Sequence, residues 1–167
     1  NVIWYNNFLP SHNILIYLGG FIMDKDNLKI LNDLNKAIKM GEDSYAVVIE
    51  KSDDEKFKKV LKKQSKAYEK FLENVHKEYK SIKEEPKDTP IAQKIMGWTG
   101  IQMNTLMDSS NSHISEMLIQ GAIMGYIECQ KLLNSNPKMD EKLKEKVVSF
   151  SDLQCTVIKE LTPYLRK

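Results

Sequence analysis

The chain has 167 residues, 41% apolar and 29% charged, with a formal net charge of +2. That length suits one domain with a sizeable core, and that composition suits a folded soluble protein. The charge is too small to argue for nucleic acid or a membrane surface, and Arg166 as the sole arginine leaves almost no bidentate recognition of phosphate.

Residues 1–22, NVIWYNNFLPSHNILIYLGGFI, differ in character from the rest of the chain. The run Ile14 to Leu18 is too short to span a bilayer. No basic flank or small-residue cleavage site marks a signal peptide, so the compartment expected is the cytoplasm. Two readings of this stretch stand side by side. It is a doubtful leader, upstream DNA read in frame before a natural start at Met23, since Gly19-Gly20 can be encoded by GGAGGT. Or it is an arm that packs Trp4, Tyr5 and Phe8 on the bundle. The domain proper is then 23–167.

Lys25 to Lys51 predicts an amphipathic helix with Leu28, Leu31, Leu34, Ile38, Tyr45, Val48 and Ile49 on one face. Glu42 falls on that face. Ser52-Asp53-Asp54 ends it and offers an N-cap for the next helix. Asp54 to Glu84 predicts a second helix, its stripe running from Phe57 to Ile82 and interrupted by Gln64. The short link makes the two an antiparallel hairpin. The Lys and Glu between the apolar positions read as a solvated face.

Glu85 to Pro90 breaks the chain with two prolines. Ile91 to Met107 predicts a shorter connecting helix bearing Trp98. Ser112 to Leu133 is apolar nearly all round, which predicts a central helix covered on every side. Gly121 and Gly125 on it predict close approach of a neighbour. Asp140 to Tyr164 is the last helix, with Leu143, Val147, Phe150, Leu153, Val157, Ile158 and Leu161 inward and Gln154 among them. Cys129 and Cys155 match no metal or CxxC spacing, so both are expected to be buried free thiols. The fold class expected is all-α, an up-down four-helix bundle with one extra short connecting helix.

The stretch LNDLNKAIKMGEDSYAVVIEKSDDEKFKKVLKKQSKAYEKFLENV resembles the first helical hairpin of the ferritin-like bacterial family DUF2383. Leu31, Leu34, Gly41, Tyr45, the acidic turn at Asp53-Asp54 and the close of the second helix carry the resemblance, which extends over about 25–135. The resemblance implies a bundle of ferritin-like type and raises the question of a di-metal site. Such sites take a Glu from each of two helices and a Glu-x-x-His pair from each of the other two. Glu42 stands where the resemblance puts the first ligand. Gln64-x-x-Ala67 stands where Glu-x-x-His is needed, and the last helix has no His. Glu116 and Glu128 are further carboxylates, and His113-x-x-Glu116 spans one turn but in reversed order, with His113 at the helix start as a polar cap residue. Of the remaining histidines, His76 has no partner at ligand spacing and His12 lies in the doubtful leader.

Two functions are therefore carried. The first is a non-catalytic bundle that self-associates as a homo-oligomer or binds a protein partner, with no cofactor. The second is an iron- or manganese-binding oxidoreductase or storage protein with an atypical site, for which Glu42, Glu116, Glu128 and His113 are the candidate metal ligands. The absent histidines favour the first.

Overall fold

The computed structural model describes residues 23–87 and 108–166. The expectations for 1–22 and for 91–107 lie outside the described residues. Four helices fill the rest: α1 (Lys25–Lys51), α2 (Glu55–Ile82), α3 (Asn111–Ser135) and α4 (Glu141–Leu161), followed by a single 3-10 turn, Thr162–Tyr164. The described part is an all-α bundle, as the 3.6-residue periodicities require.

Each helix starts on a side chain suited to the job. Asp24, Asp54, Ser110 and Asp140 accept from backbone N–H groups of the first helical turn. These are donors that no helical carbonyl can reach. α2 stops at Lys83, which takes a left-handed φ of 56°. There the Glu84 amide returns to the Tyr79 carbonyl at 3.1 Å.

Contacts at the two ends set the directions. At one end the Asn111 amide of α3 donates to Asp54 before α2 at 2.7 Å. The rings of Phe57 and Tyr164 meet at the same end, 4.6 Å between centroids. At the other end the Asp140 N–H donates to Asn27 at 3.0 Å, and Tyr79 donates to Asn32 at 2.7 Å. The helices thus run up, down, down, up. α1 and α2 form one antiparallel hairpin, α3 and α4 the other. α2 and α3 run parallel, so the link between Lys87 and Asp108 begins at one end of the bundle and finishes at the other.

The core lies between the hairpins. Leu31, Leu34, Ile38, Tyr45 and Val48 of α1 meet Phe57, Leu61 and Val75 of α2, Ile114 of α3, and Leu143, Val147, Phe150, Val157 and Leu161 of α4. The expectation that α3 is covered on every side does not hold. Ile114, Leu118, Ala122 and Cys129 are buried, but Ile123, Tyr126 and Ile127 are 43%, 38% and 43% exposed. α3 packs most extensively on α4 and less on α1, which leaves its third side open. Ile119 lies at the edge of the open side and is buried. Ile119→Ala should therefore cost about 2–3 kcal/mol as a buried truncation. Ile123→Ala should stay within about 0.5 kcal/mol. Urea denaturation of the two variants checks the pair, and equal losses would mean that both positions are covered in solution.

The glycine expectation divides as well. A Cβ on Gly125 would stand 3.2 Å from the Gln154 side chain, a close approach of α3 to α4. Gly121 has open space around it. Among the described glycines the tightest is Gly41, where a Cβ would lie 2.2 Å from the Tyr68 ring. Cys129 is buried and Cys155 is exposed, so only one of the two thiols is in the core. The helical phase explains it: Cys155 follows the buried Gln154 by one position, about 100° round the helix.

Candidate functional site

At the middle of the bundle two phenols meet two amides. Tyr45 of α1 donates from its hydroxyl to Gln64 Oε1 of α2 at 2.9 Å. Tyr68 of α2 donates to Gln154 Oε1 of α4 at 2.8 Å. The two rings lie 5.3 Å apart, and the Phe150 ring meets Tyr68 edge-on at 5.9 Å. All five side chains are buried. Gln154 also sends its amide N–H to the Phe150 carbonyl at 3.4 Å. The Gln64 amide donates outward to Glu160 Oε2 at 3.1 Å, and Lys63 holds the other oxygen.

Local sequence places these groups. Gln64 and Tyr68 are one turn apart on α2 and face the same way. Gly41 has no side chain, so the Tyr68 ring can lie against the α1 backbone. Gly125 makes equivalent room for Gln154. Buried amides without partners would be costly, and here each carbonyl oxygen accepts a phenol.

Burial holds both phenols protonated, pushing Tyr45 and Tyr68 well above their usual range. Burial likewise pushes the Cys129 thiol up to about 12, so this cysteine is no nucleophile. Glu160 goes the other way. The Lys63 ammonium first, then the Gln64 amide, hold its carboxyl below the ordinary value. A depressed folded value means that the pairing stabilises the fold above the ordinary carboxylate range. The contribution is lost as pH falls through the depressed value. Glu160→Gln should therefore be less stable than the native chain by about 0.5–1 kcal/mol at neutral pH. The gap should close in acid, once pH has fallen through that depressed value. Urea midpoints at the two pH values check this, and a gap that widens in acid would contradict the assignment.

The four residues singled out as metal candidates do not converge. Glu42 is at the rim of α1, its side chain 25% exposed and paired with Lys39 at 2.9 Å. Glu116 is exposed and accepts from Gln120 at 3.3 Å, one turn on. Glu128 lies three turns further along α3, about 18 Å away by helical rise, and is paired with Lys131 at 2.6 Å. His113 is in the first turn of α3, where its backbone N–H donates to the Ser110 cap at 3.2 Å. His113 and Glu116 do share a cavity of about 660 Å³ with Asp54, Asp108, Tyr164 and Arg166, at the end where α2 and α3 begin. Among the described residues no group of three or more His, Cys, Asp or Glu side chains is arranged to hold a metal ion.

The bundle centre does not fit a di-iron group either. Bridging two irons takes carboxylates with imidazoles completing the shells. The side chains that meet there offer neutral phenols, neutral amides and a phenyl ring.

One buried carboxylate belongs to no pattern in the sequence. Both carboxylate oxygens of Asp33 are buried without a hydrogen-bond partner. After burial itself, the Asp33 charge is what raises the Tyr79 phenol. Asp33 also lines a groove of about 310 Å³ between α1 and α3, with Lys29, Glu128 and Lys131. It sits off the apolar stripe of α1, and no periodicity could have marked it as buried.

No described helix is long and apolar enough to cross a membrane. No curated protein and no solved structure matches the chain. One family does: DUF2383, a domain of unknown function, matches residues 26–135, from the first turn of α1 to the last residue of α3. With about two thirds of its length inside that match, the chain belongs to the DUF2383 family.

Proposed function

We propose that this chain is a non-catalytic ferritin-like helical bundle that works in the cytoplasm by contact with protein, its own copies included. The observation that carries the reading is the centre of the bundle. Tyr45 with Gln64, and Tyr68 with Gln154, close on one another at 2.9 and 2.8 Å. Where a ferritin-like enzyme would hold bridging carboxylates, this core has a satisfied set of neutral groups. The up, down, down, up order with one long connection supports the ferritin-like type, since such bundles have one long crossover. The exposed and unpaired thiol of Cys155 supports a reducing compartment.

Elemental analysis tests the reading. Protein made in medium supplemented with iron and manganese is expected to carry far less than one metal per chain. Stoichiometric iron or manganese, lost on Glu42→Gln, would overturn it and restore the metal-binding alternative.

A further inference from the structure

We propose that the open face of α3 is a self-association surface, on which two copies of this chain pack α3 against α3 in antiparallel, two-fold fashion. This rests on the reading of the chain as a module that works by protein contact, and it names the partner as a second copy.

The face has an apolar centre and charged ends. Ile123, Tyr126 and Ile127 are all more than a third exposed. Between Glu116 and Glu128 the helix carries no charged residue. Glu116 is exposed toward its N-terminal end and Lys131 toward its C-terminal end. All four of Glu116, Ile123, Ile127 and Lys131 lie on one side of α3 by helical phase, within about 80° of one another.

The spacing makes this pattern self-complementary. In an antiparallel pair, residues equally distant from the two-fold axis face each other. The midpoint of Ile123 and Ile127 falls at Gly125, and the midpoint of Glu116 and Lys131 falls between Ile123 and Met124. The two midpoints differ by about 2 Å along the helix. A single axis therefore sets Ile123 against the partner's Ile127 and brings Glu116 within side-chain reach of the partner's Lys131, each contact twice over. A parallel pair would set like charges against each other.

Among the described residues of the single chain these charges have only weak partners. Gln120 bonds Glu116 at 3.3 Å, and Lys131 pairs with Glu128 on its own helix in an exposed i,i+3 contact. Such surface pairs contribute little and exchange readily. α3 is about 37 Å long, so one helix against its copy covers less than the roughly 800 Å² per partner of a standard interface. The association expected is accordingly in the micromolar range, not that of an obligate dimer.

Sedimentation equilibrium of the full chain, with metal content measured on the same sample, is the test. A concentration-dependent dimer is expected. Ile127→Glu should weaken it by about tenfold or more while leaving the melting temperature of the monomer unchanged. Glu116→Lys and Lys131→Glu should each weaken it several-fold, and the double exchange should restore it, because the pair is rebuilt across the axis. A chain that stays monomeric at millimolar concentration would overturn the proposal. So would a dimer indifferent to Ile127→Glu, or a double exchange that fails to restore. A monomer destabilised by Ile127→Glu would mean that the chain's own residues cover the face, and would overturn it too. Each of these failures leaves the metal-free reading standing if the same sample carries no stoichiometric metal. Stoichiometric metal in a sample that dimerises as described would sink that reading alone.

Discussion

Gly41→Ala is expected to destabilise this protein by about 3 kcal/mol. The new Cβ would lie 2.2 Å from the Tyr68 ring edge, well inside any real contact distance. The ring cannot swing clear. Tyr45 and Phe150 bracket it at centroid distances of 5.3 and 5.9 Å, and its hydroxyl is anchored on Gln154 at 2.8 Å. Overpacking of this kind costs ~1–3 kcal/mol. Any movement large enough to relieve it also strips the buried Gln154 oxygen of its donor, which adds ~1–3 kcal/mol. Helix propensity pulls the other way, because Ala is better than Gly by ~1 kcal/mol in a helix interior. The sign of the result therefore decides between packing and propensity. Urea denaturation gives it directly: a clear loss is expected, and a gain in stability would mean that Tyr68 does not lie on α1. Tyr68→Phe separates the two costs, since it keeps the ring and removes only the hydroxyl.

The same residues show how far the fold could be read in advance. The stripe from Leu31 to Val48 located α1, and the polar break at 52–54 located the start of α2, because amphipathic periodicity and caps are local. Gln64 and Gln154 stood out as polar residues on apolar stripes. That each is matched to a tyrosine on another helix was not readable, since the partners lie 19 and 86 positions away. Counting turns from the sequence puts Glu42 inward. The close packing of Tyr68 on Gly41 carries the contact one position earlier, and Glu42 is left at the rim beside Lys39. α3 shows the opposite difficulty. An apolar face says that water is unwelcome, but not whether the cover comes from the same chain or from another. Ile114 and Ile127 are alike in sequence, and one is fully buried while the other is 43% exposed.

A chain ending at Ser135, the last residue of the family match, is expected not to fold cooperatively. The match takes in α1, α2 and α3, yet the core is closed by α4. Leu143, Val147, Phe150, Val157 and Leu161 all come from α4 and are almost wholly buried. Without them Tyr68 loses both the Phe150 ring and the Gln154 acceptor, Phe71 loses its ring contact with Phe150, and Phe57 loses Tyr164. The buried side of α3 would face water as well, since α4 is its main neighbour. Four or five large side chains exposed at ~1.5–3 kcal/mol each sum to about 10 kcal/mol. That is comparable to the whole stability of an ordinary domain, ~5–15 kcal/mol. The truncated chain should keep part of its far-UV helical signal and lose the sigmoidal urea transition of the full chain. Addition of a peptide spanning residues 136–167 should bring the transition back, because it resupplies the side chains that close the core against α2 and α3. A truncated chain that unfolds cooperatively on its own would show instead that the matched segment is a complete domain, with α4 laid on its surface.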